Sequence, residues 1–466
     1  MATPGNSEAT LRPFPPIRIT LLALGWLCLA FIVYSVVWKD APYVTPDTPS
    51  YMKLASELKH FNLNEVPART PGLPILLVLT GSESGPTRAL YNISLALHFA
   101  SVGLLAWLLY GLNIRPTSIV ALLASGCAPP LVEWAAQMGT ENLSEFFLIV
   151  TFVLFVRWLD RQHVILLLAY PVAALCLALT RPTFQALVLP IALCVLACRH
   201  FTLLRLPLRR LLVFLVATSG IVFTALGAYA YSNYRHFGYF GTNILSAYSV
   251  STKVAGVLEF APDQYKDIRD ILIQHRNALM TSPTSDHTGQ NYIFRALPDL
   301  AAYYHGDTTQ ALLMVQNLSF NLIRAKPMSF LNECTKAMGG YWFPTDGPLS
   351  TGSSAVYRAL WAVWQLSIVS AFCLQMLALT GHALFRLPCY SRRTAQPSKG
   401  GTRFAFLVCV YAVGITIILY TMTISCCMGI GLARYRAPTD LLIMFITLVG
   451  YEMWRLSVRA SLGLIA

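Results

Sequence analysis

Six charged side chains in this 466-residue chain stand where charge needs a reason. Asp47 lies between Pro46 and Pro49, which fix the backbone and remove donors, so its carboxylate is held at a bend and not on an ordinary helix surface. Tyr51 follows, and Arg69 stands just ahead of Thr70-Pro71-Gly72-Leu73-Pro74. Glu141 opens an apolar run behind Gly139-Thr140. There it suits the positive end of a helix dipole with Thr140 as N-cap, a structural reading that competes with a chemical one. Arg181 sits in the corner Thr180-Arg181-Pro182-Thr183 between two strongly apolar runs, where a charge needs a partner or an anion. Arg434 and Arg436 bracket Tyr435, followed by Pro438 and Asp440. Helix geometry accounts for the proline and the acid; the two guanidiniums beside lipid call for an anion held between them, or for Asp440 as an internal partner. Arg324 and Lys336, farther out, fit a solvated face as well as they fit phosphate.

The elements that must position these groups follow from composition. Hydrophobic residues make up 56% of the chain and charged ones 12%, far below the roughly 25% charge of a soluble domain. The class is an all-α polytopic membrane protein. Apolar runs able to cross about 30 Å of hydrocarbon fall near 17–38, 88–111, 117–132, 143–159, 163–179, 183–198, 209–230, 357–385, 403–424 and 438–456, about ten spans. Residues 1–231 form an N-terminal membrane module that includes a first hydrophilic segment, 39–88. Residues 232–356 form a small helical cap, with helical patterns over Val250–Leu279, Ala301–Arg324 and Ser329–Ala337, and 357–466 supply the last spans. Within the first segment, Ser50 to Phe61 places Met52, Ala55, Leu58 and Phe61 on one face of an amphipathic helix suited to a membrane surface. Pro71 to Leu79 is too short to span and is expected to dip into the interface or pack on the bundle.

Charge orients the chain. With the N-terminus inside, 16 of the 34 Lys and Arg but three of the 21 acids lie in cytoplasmic segments, which accounts for the whole net charge of +13. Such asymmetry is the positive-inside pattern of a multi-pass inner-membrane protein with both termini cytoplasmic, and it needs no nucleic acid to explain it. The first apolar run, behind Arg12 and Arg18, lacks a small-residue cleavage site and reads as an uncleaved anchor. Most of the eleven cysteines fall in spans, Cys334 alone lying well inside the long outer loop, and no disulfide framework or zinc spacing follows. No Walker-type loop, HExxH or nucleophile elbow is present.

Taken in order, the outer turns PDTPSY, RTPGLP, GTENLSE, TRPT and RYRAPTD, with NYRHFG as a softer match, resemble those of the GT-C class of polyprenyl-phosphate-sugar glycosyltransferases, closest to the aminoarabinose and protein O-mannosyl transferase branch. The resemblance covers nearly the whole chain, although each motif is loose. Many relatives carry Asp-Glu in the first loop; here Asp47 is followed by Thr48, which leaves Glu141 as the candidate second acid. The resemblance implies a GT-C-like bundle that moves a sugar, with inversion, from a lipid-phosphate donor to a lipid, glycan or protein acceptor on the outer face. Asp47 would act as general base, and Arg434, Arg436, Arg181 and Arg69 would hold the leaving phosphate, with Tyr51 and Tyr435 beside them. No obligatory metal or cofactor is then expected. The rival reading is a transporter or lipid-linked-sugar flippase, against which stands the gathering of charges at one end of the spans, since alternating access places its charges near the midplane.

Overall fold

An apolar segment in lipid must satisfy its own backbone N–H and C=O groups, and a helix does so within one stretch of chain. A computed structural model describes residues 15–37, 43–63, 67–201, 203–204, 206–245, 249–281, 292–343, 355–393, 399–429 and 432–461, with the backbone alone for 37, 378–393, 399–402, 460 and 461. Glu8, Arg12, Arg205, Pro344 and Gly431, and the side chains of Arg386, Arg392, Arg393 and Lys399, lie outside the described residues.

Among the described residues the elements are helical. They are α1 (Ile17–Val37), α2 (Thr48–Lys59), α3 (Gly72–Leu79), α4 (Arg88–Gly111), α5 (Pro116–Gly126), α6 (Pro129–Val132), α7 (Glu141–Arg161), α8 (Val164–Thr180), α9 (Val188–His200) and α10 (Leu208–Phe237). After these come the cap helices α11 (Lys266–Met280), α12 (Tyr292–Tyr303), α13 (Thr308–Ala325) and α14 (Pro327–Trp342), then α15 (Ala355–Arg393), α16 (Lys399–Met428) and α17 (Ala433–Ser461). Seven of the described helices, and an eighth segment made of α9 extended back to Pro182, are long and apolar enough to span a bilayer; α5 with α6 makes a ninth, bent by 57°, and α8 is a shorter apolar helix. These ten fall where hydropathy puts them. The bundle and the cap have separate cores, the first built on residues such as Phe155, Phe214 and Phe445, the second on Leu272, Tyr292 and Val315.

The bend between α5 and α6 has a local cause. Pro130 has no N–H for the carbonyl of Gly126, which a continuous helix would have bonded. His98 on α4 supplies the missing donor, Nε2 to Gly126 O at 2.8 Å, while its Nδ1 pairs with Glu145 Oε1 at 2.9 Å. A carbonyl can only accept, so Nε2 carries the proton. The next carbonyl, of Cys127, accepts from the Tyr34 hydroxyl of α1 at 2.8 Å.

Three sequence expectations are corrected. Helix α2 docks through Thr48, Tyr51, Leu54 and Ala55, and Phe61 is 98% exposed. Tyr51 and Ala55 pack into an apolar cluster with Leu73, Leu77 and Met138, and Thr48 Oγ1 adds a bond to Met138 O at 3.0 Å. The stretch 250–279 is not one helix: 3-10 turns at Val250–Lys253, Ala255–Phe260 and Asp263–Tyr265 precede α11, and Pro262 lacks the donor a continuous helix needs. Finally, α17 begins at Ala433 and holds Pro438 in its interior, so Arg434, Tyr435 and Arg436 are already helical.

Helix α3 packs on α8 at a point where only glycine fits. A Cβ on Gly72 would lie 2.6 Å from Thr180 Oγ1 and 2.7 Å from Thr180 Cα, and backbone cannot yield as a side-chain tip can. Gly72→Val is expected to cost about 1–3 kcal/mol and to lower the thermal midpoint of the detergent-solubilised chain; an unchanged midpoint would mean that this contact is loose.

Candidate active site

Asp47 occupies the N-cap position of α2 but makes no side-chain capping bond. Its carboxylate faces two arginines from distant turns. Arg69 Nη2 donates to Oδ1 at 2.7 Å, and Arg434 Nη2 donates to Oδ2 at 2.7 Å. Arg69 is braced by Ser50, its Nε donating to Ser50 Oγ at 2.8 Å, and its guanidinium lies 4.8 Å above the buried ring of Tyr51. Burial by itself would push the Asp47 carboxyl up, but the Arg434 and Arg69 charges outweigh that and hold it below its ordinary value. Burial pushes the Tyr51 hydroxyl up, so it stays protonated at neutral pH.

The second acid is one step away. Glu141 is buried and faces Arg181, Oε1 to Nη2 at 3.8 Å. Thr140 stands at the N-cap position without a side-chain capping bond, and Glu141 lies in the first turn of α7, where the helix dipole favours an acid as well as Arg181 does. A Cβ on Gly139 would meet Glu141 Oε2 at 2.3 Å, so any side chain there would displace that carboxylate. The ring of Tyr435 joins the two halves, with the Arg434 guanidinium 5.2 Å and the Arg181 guanidinium 5.5 Å from its centroid. Arg181 Nη1 and Arg434 Nε are buried with no hydrogen-bond partner among the described residues. Three guanidiniums thus face two carboxylates with donors to spare, which is an environment for one more negative charge.

The chain crossings that assemble this chamber are specific. Tyr43 bridges to the turn before α7, its N–H donating to Ala136 O at 2.6 Å and its carbonyl accepting from Met138 N at 2.9 Å. Thr70 Oγ1 donates to Thr180 O at 3.0 Å, tying the segment that carries Arg69 to the corner that carries Arg181. The small pocket that results is lined by Thr45, Asp47, Tyr51, Gln137, Glu141 and Arg434, among others. Gln137 and Thr45 carry no sequence signal; Ser50 lies inside PDTPSY and is legible only once Arg69 is seen to use it.

Asp47, Tyr51, Arg69, Glu141, Arg181, Arg434 and Tyr435 therefore come together, and three of the candidate residues do not join them. Arg436 is fully buried and bonded throughout: Nε to Asp440 Oδ1 at 2.7 Å, Nη1 to Tyr341 O at 3.1 Å and Trp342 O at 3.0 Å, and Nη2 to Gln365. The reason is helical. Residues two apart point to different sides of a helix, so Arg434 and Arg436 cannot grip one anion. The internal-partner alternative holds for Arg436, and Arg436→Ala is expected to cost about 3–5 kcal/mol of stability because Asp440 is left unpaired. Arg436→Met with Asp440→Leu should restore much of the thermal midpoint; failure of that restoration would show that the carbonyl contacts matter more than the pair. Arg324 lies on the exposed last turn of α13, and Lys336, on α14, pairs with Glu333 at 2.6 Å on the cap surface.

No family model and no curated protein matches the chain. Among solved structures it is similar to the archaeal oligosaccharyltransferase AglB from Archaeoglobus fulgidus, at 10% identity over 96% of this chain and 52% of that one, with a TM-score of 0.45. It is also similar to the arabinosyltransferase EmbB from Mycobacterium smegmatis, at 13% identity over 93% of this chain and 44% of that one, with a TM-score of 0.35. The chain thus spans about half the length of these structures.

Proposed function

We propose that this chain is a GT-C-like integral membrane glycosyltransferase, moving a sugar from a polyprenyl-phosphate donor to an acceptor on the extracytoplasmic face of the inner membrane. The observation that carries the reading is the Asp47 carboxylate gripped on both oxygens by Arg69 and Arg434, beside an Arg181 with an unspent buried donor. A phosphate entering between Arg434 and Arg181 takes those donors bidentately. Asp47, losing one arginine, becomes a stronger base at the moment the donor arrives, and accepts the proton of the acceptor hydroxyl as that oxygen attacks the anomeric carbon. The bond to the lipid phosphate breaks, its charge held by guanidiniums in a water-poor site. One base and an unaided leaving group suffice for inversion. Glu141 keeps Arg181 oriented.

An apolar groove between α7 and α8, lined by Phe147, Val150, Leu154, Leu168, Val172 and Cys176, runs down the same two helices from the Glu141–Arg181 pair. It offers a path for the lipid tail while the phosphate meets Arg181. The transporter alternative would draw on the broken helix α5–α6, but the freed carbonyls of Gly126 and Cys127 are closed off by His98 and Tyr34 and offer no ion site.

The test is transfer of radiolabel from polyprenyl-phosphate sugars in membranes that contain the chain. Transfer that persists in excess chelator is expected, because guanidiniums take the place of a cation at the leaving group. Substrate flux without transfer for any lipid-linked sugar would overturn the reading in favour of a flippase, and loss of transfer with chelator, restored by a divalent ion, would overturn the arginine-only account.

A further inference from the structure

The outer end of α16 carries a cluster that sugar transfer does not use. Lys253, closing the 3-10 turn Val250–Lys253, is 1% exposed, and its ammonium reaches the carbonyl of Glu333 only at 3.5 Å, too long for a strong bond. The Glu333 carboxylate itself is engaged by Lys336. Around Lys253 stand three thiols, Cys334 of α14 and Cys426 and Cys427 from the last turn of α16. The two helices are in direct contact: Ala337 and Cys426 share a buried cluster, Trp342 Nε1 donates to Met422 Sδ at 3.1 Å, and Cys334 stands one turn before Ala337 while Cys427 adjoins Cys426. Cys334 is buried and Cys427 is partly open.

We propose that Cys334 and Cys427 close into a disulfide that fastens the cap to the membrane bundle, with Lys253 as the base for the closing step. The oxidant is a disulfide of the extracytoplasmic space, either glutathione disulfide or an oxidised dithiol protein. The Cys427 thiolate attacks one of its sulfurs, forms a mixed disulfide and releases the first thiol. Cys334 then gives its proton to the Lys253 amine, and its sulfur attacks Cys427 Sγ and expels the second thiol. Two protein thiols and one external disulfide become one protein disulfide and two external thiols. Burial pushes the Cys334 thiol up to about 12, so it needs a base, and burial holds the Lys253 ammonium below its ordinary value. The bridge would secure the helix whose Tyr341 and Trp342 carbonyls hold Arg436, two residues from Arg434.

The inference rests on the outward placement of the cap and not on the transfer chemistry. Membranes are quenched in N-ethylmaleimide, directly and after incubation with glutathione disulfide, and the full-length chain is digested and analysed by mass spectrometry. A Cys334–Cys427 linked peptide is expected in one or both samples, opened by phosphine, absent from Cys334→Ser and Cys427→Ser, and kept in Cys426→Ser. Lys253→Met should slow closure after reduction about tenfold, the scale on which thiolate population moves such exchange. Alkylation of both cysteines in both samples overturns the bridge, a Cys334–Cys426 link overturns the pairing, and an unchanged closing rate in Lys253→Met overturns the base. A bridged chain that transfers no sugar would refute the proposed activity alone, and an active chain with both thiols free would refute the bridge alone.

Discussion

Asp47→Asn should lower the transfer rate by about 10²–10⁴-fold, the range over which a positioned base acts, while leaving donor binding intact or tighter. Asparagine keeps the shape and one acceptor oxygen for Arg69 or Arg434 but cannot take a proton. It also removes the negative charge that competes with phosphate for the same guanidiniums, so the loss should fall in kcat and not in the KM for the lipid donor. Initial rates at several donor concentrations separate these effects. A rate within threefold of the native chain would take Asp47 out of the proton transfer. Raised KM with an unchanged kcat would make it a binding group.

The second large effect belongs to Arg434. Arg434→Met should cost about 10²–10³-fold in rate, the scale for losing one group that stabilises developing charge, and Arg434→Lys should recover little of it, because an ammonium cannot span Asp47 and a phosphate as a planar fork does. The pH profile offers a separate reading. In the native chain Arg434 and Arg69 together hold the Asp47 carboxyl below its ordinary value, so the acid limb of kcat/KM should lie below the usual carboxylate range. Without Arg434 the burial that pushes the carboxyl up is opposed by Arg69 alone, and the limb should move to higher pH. A limb that stays put in Arg434→Met would show that the titrating group is not Asp47.

Hydropathy made the crossings legible, because a spanning helix must be apolar over its whole length, and the isolated charges at their ends marked the turns that meet. Asp47, Arg69, Arg181 and Arg434 stood out as charges without a local reason, and no element near them in sequence satisfies them. What the sequence hid was direction. Reading 429–438 as a turn ahead of Pro438 left Arg434 and Arg436 free to share an anion; a helix that starts at Ala433 sends them to different neighbours, Asp47 and Asp440. The face of α2 was misjudged for a related reason, since the cluster that receives Tyr51 and Ala55, with Leu73, Leu77 and Met138, is built from other segments. Gln137, and the meeting of Lys253 with Cys334 and Cys427, depend on segments far apart in the chain that no periodicity connects.

The corner at Gly126 bears on how the outer turn before α7 can behave. A bent helix whose freed carbonyls were open could flex, because its bonds would trade with water or with one another. Here one carbonyl is held by an imidazole wedged against a buried glutamate and the next by a phenol from α1, so straightening or swinging the corner would strand polar groups in hydrocarbon. The shelf that carries Gln137 and Glu141 is therefore fixed from below, and the Asp47 segment is pinned to it through Tyr43 and Thr48.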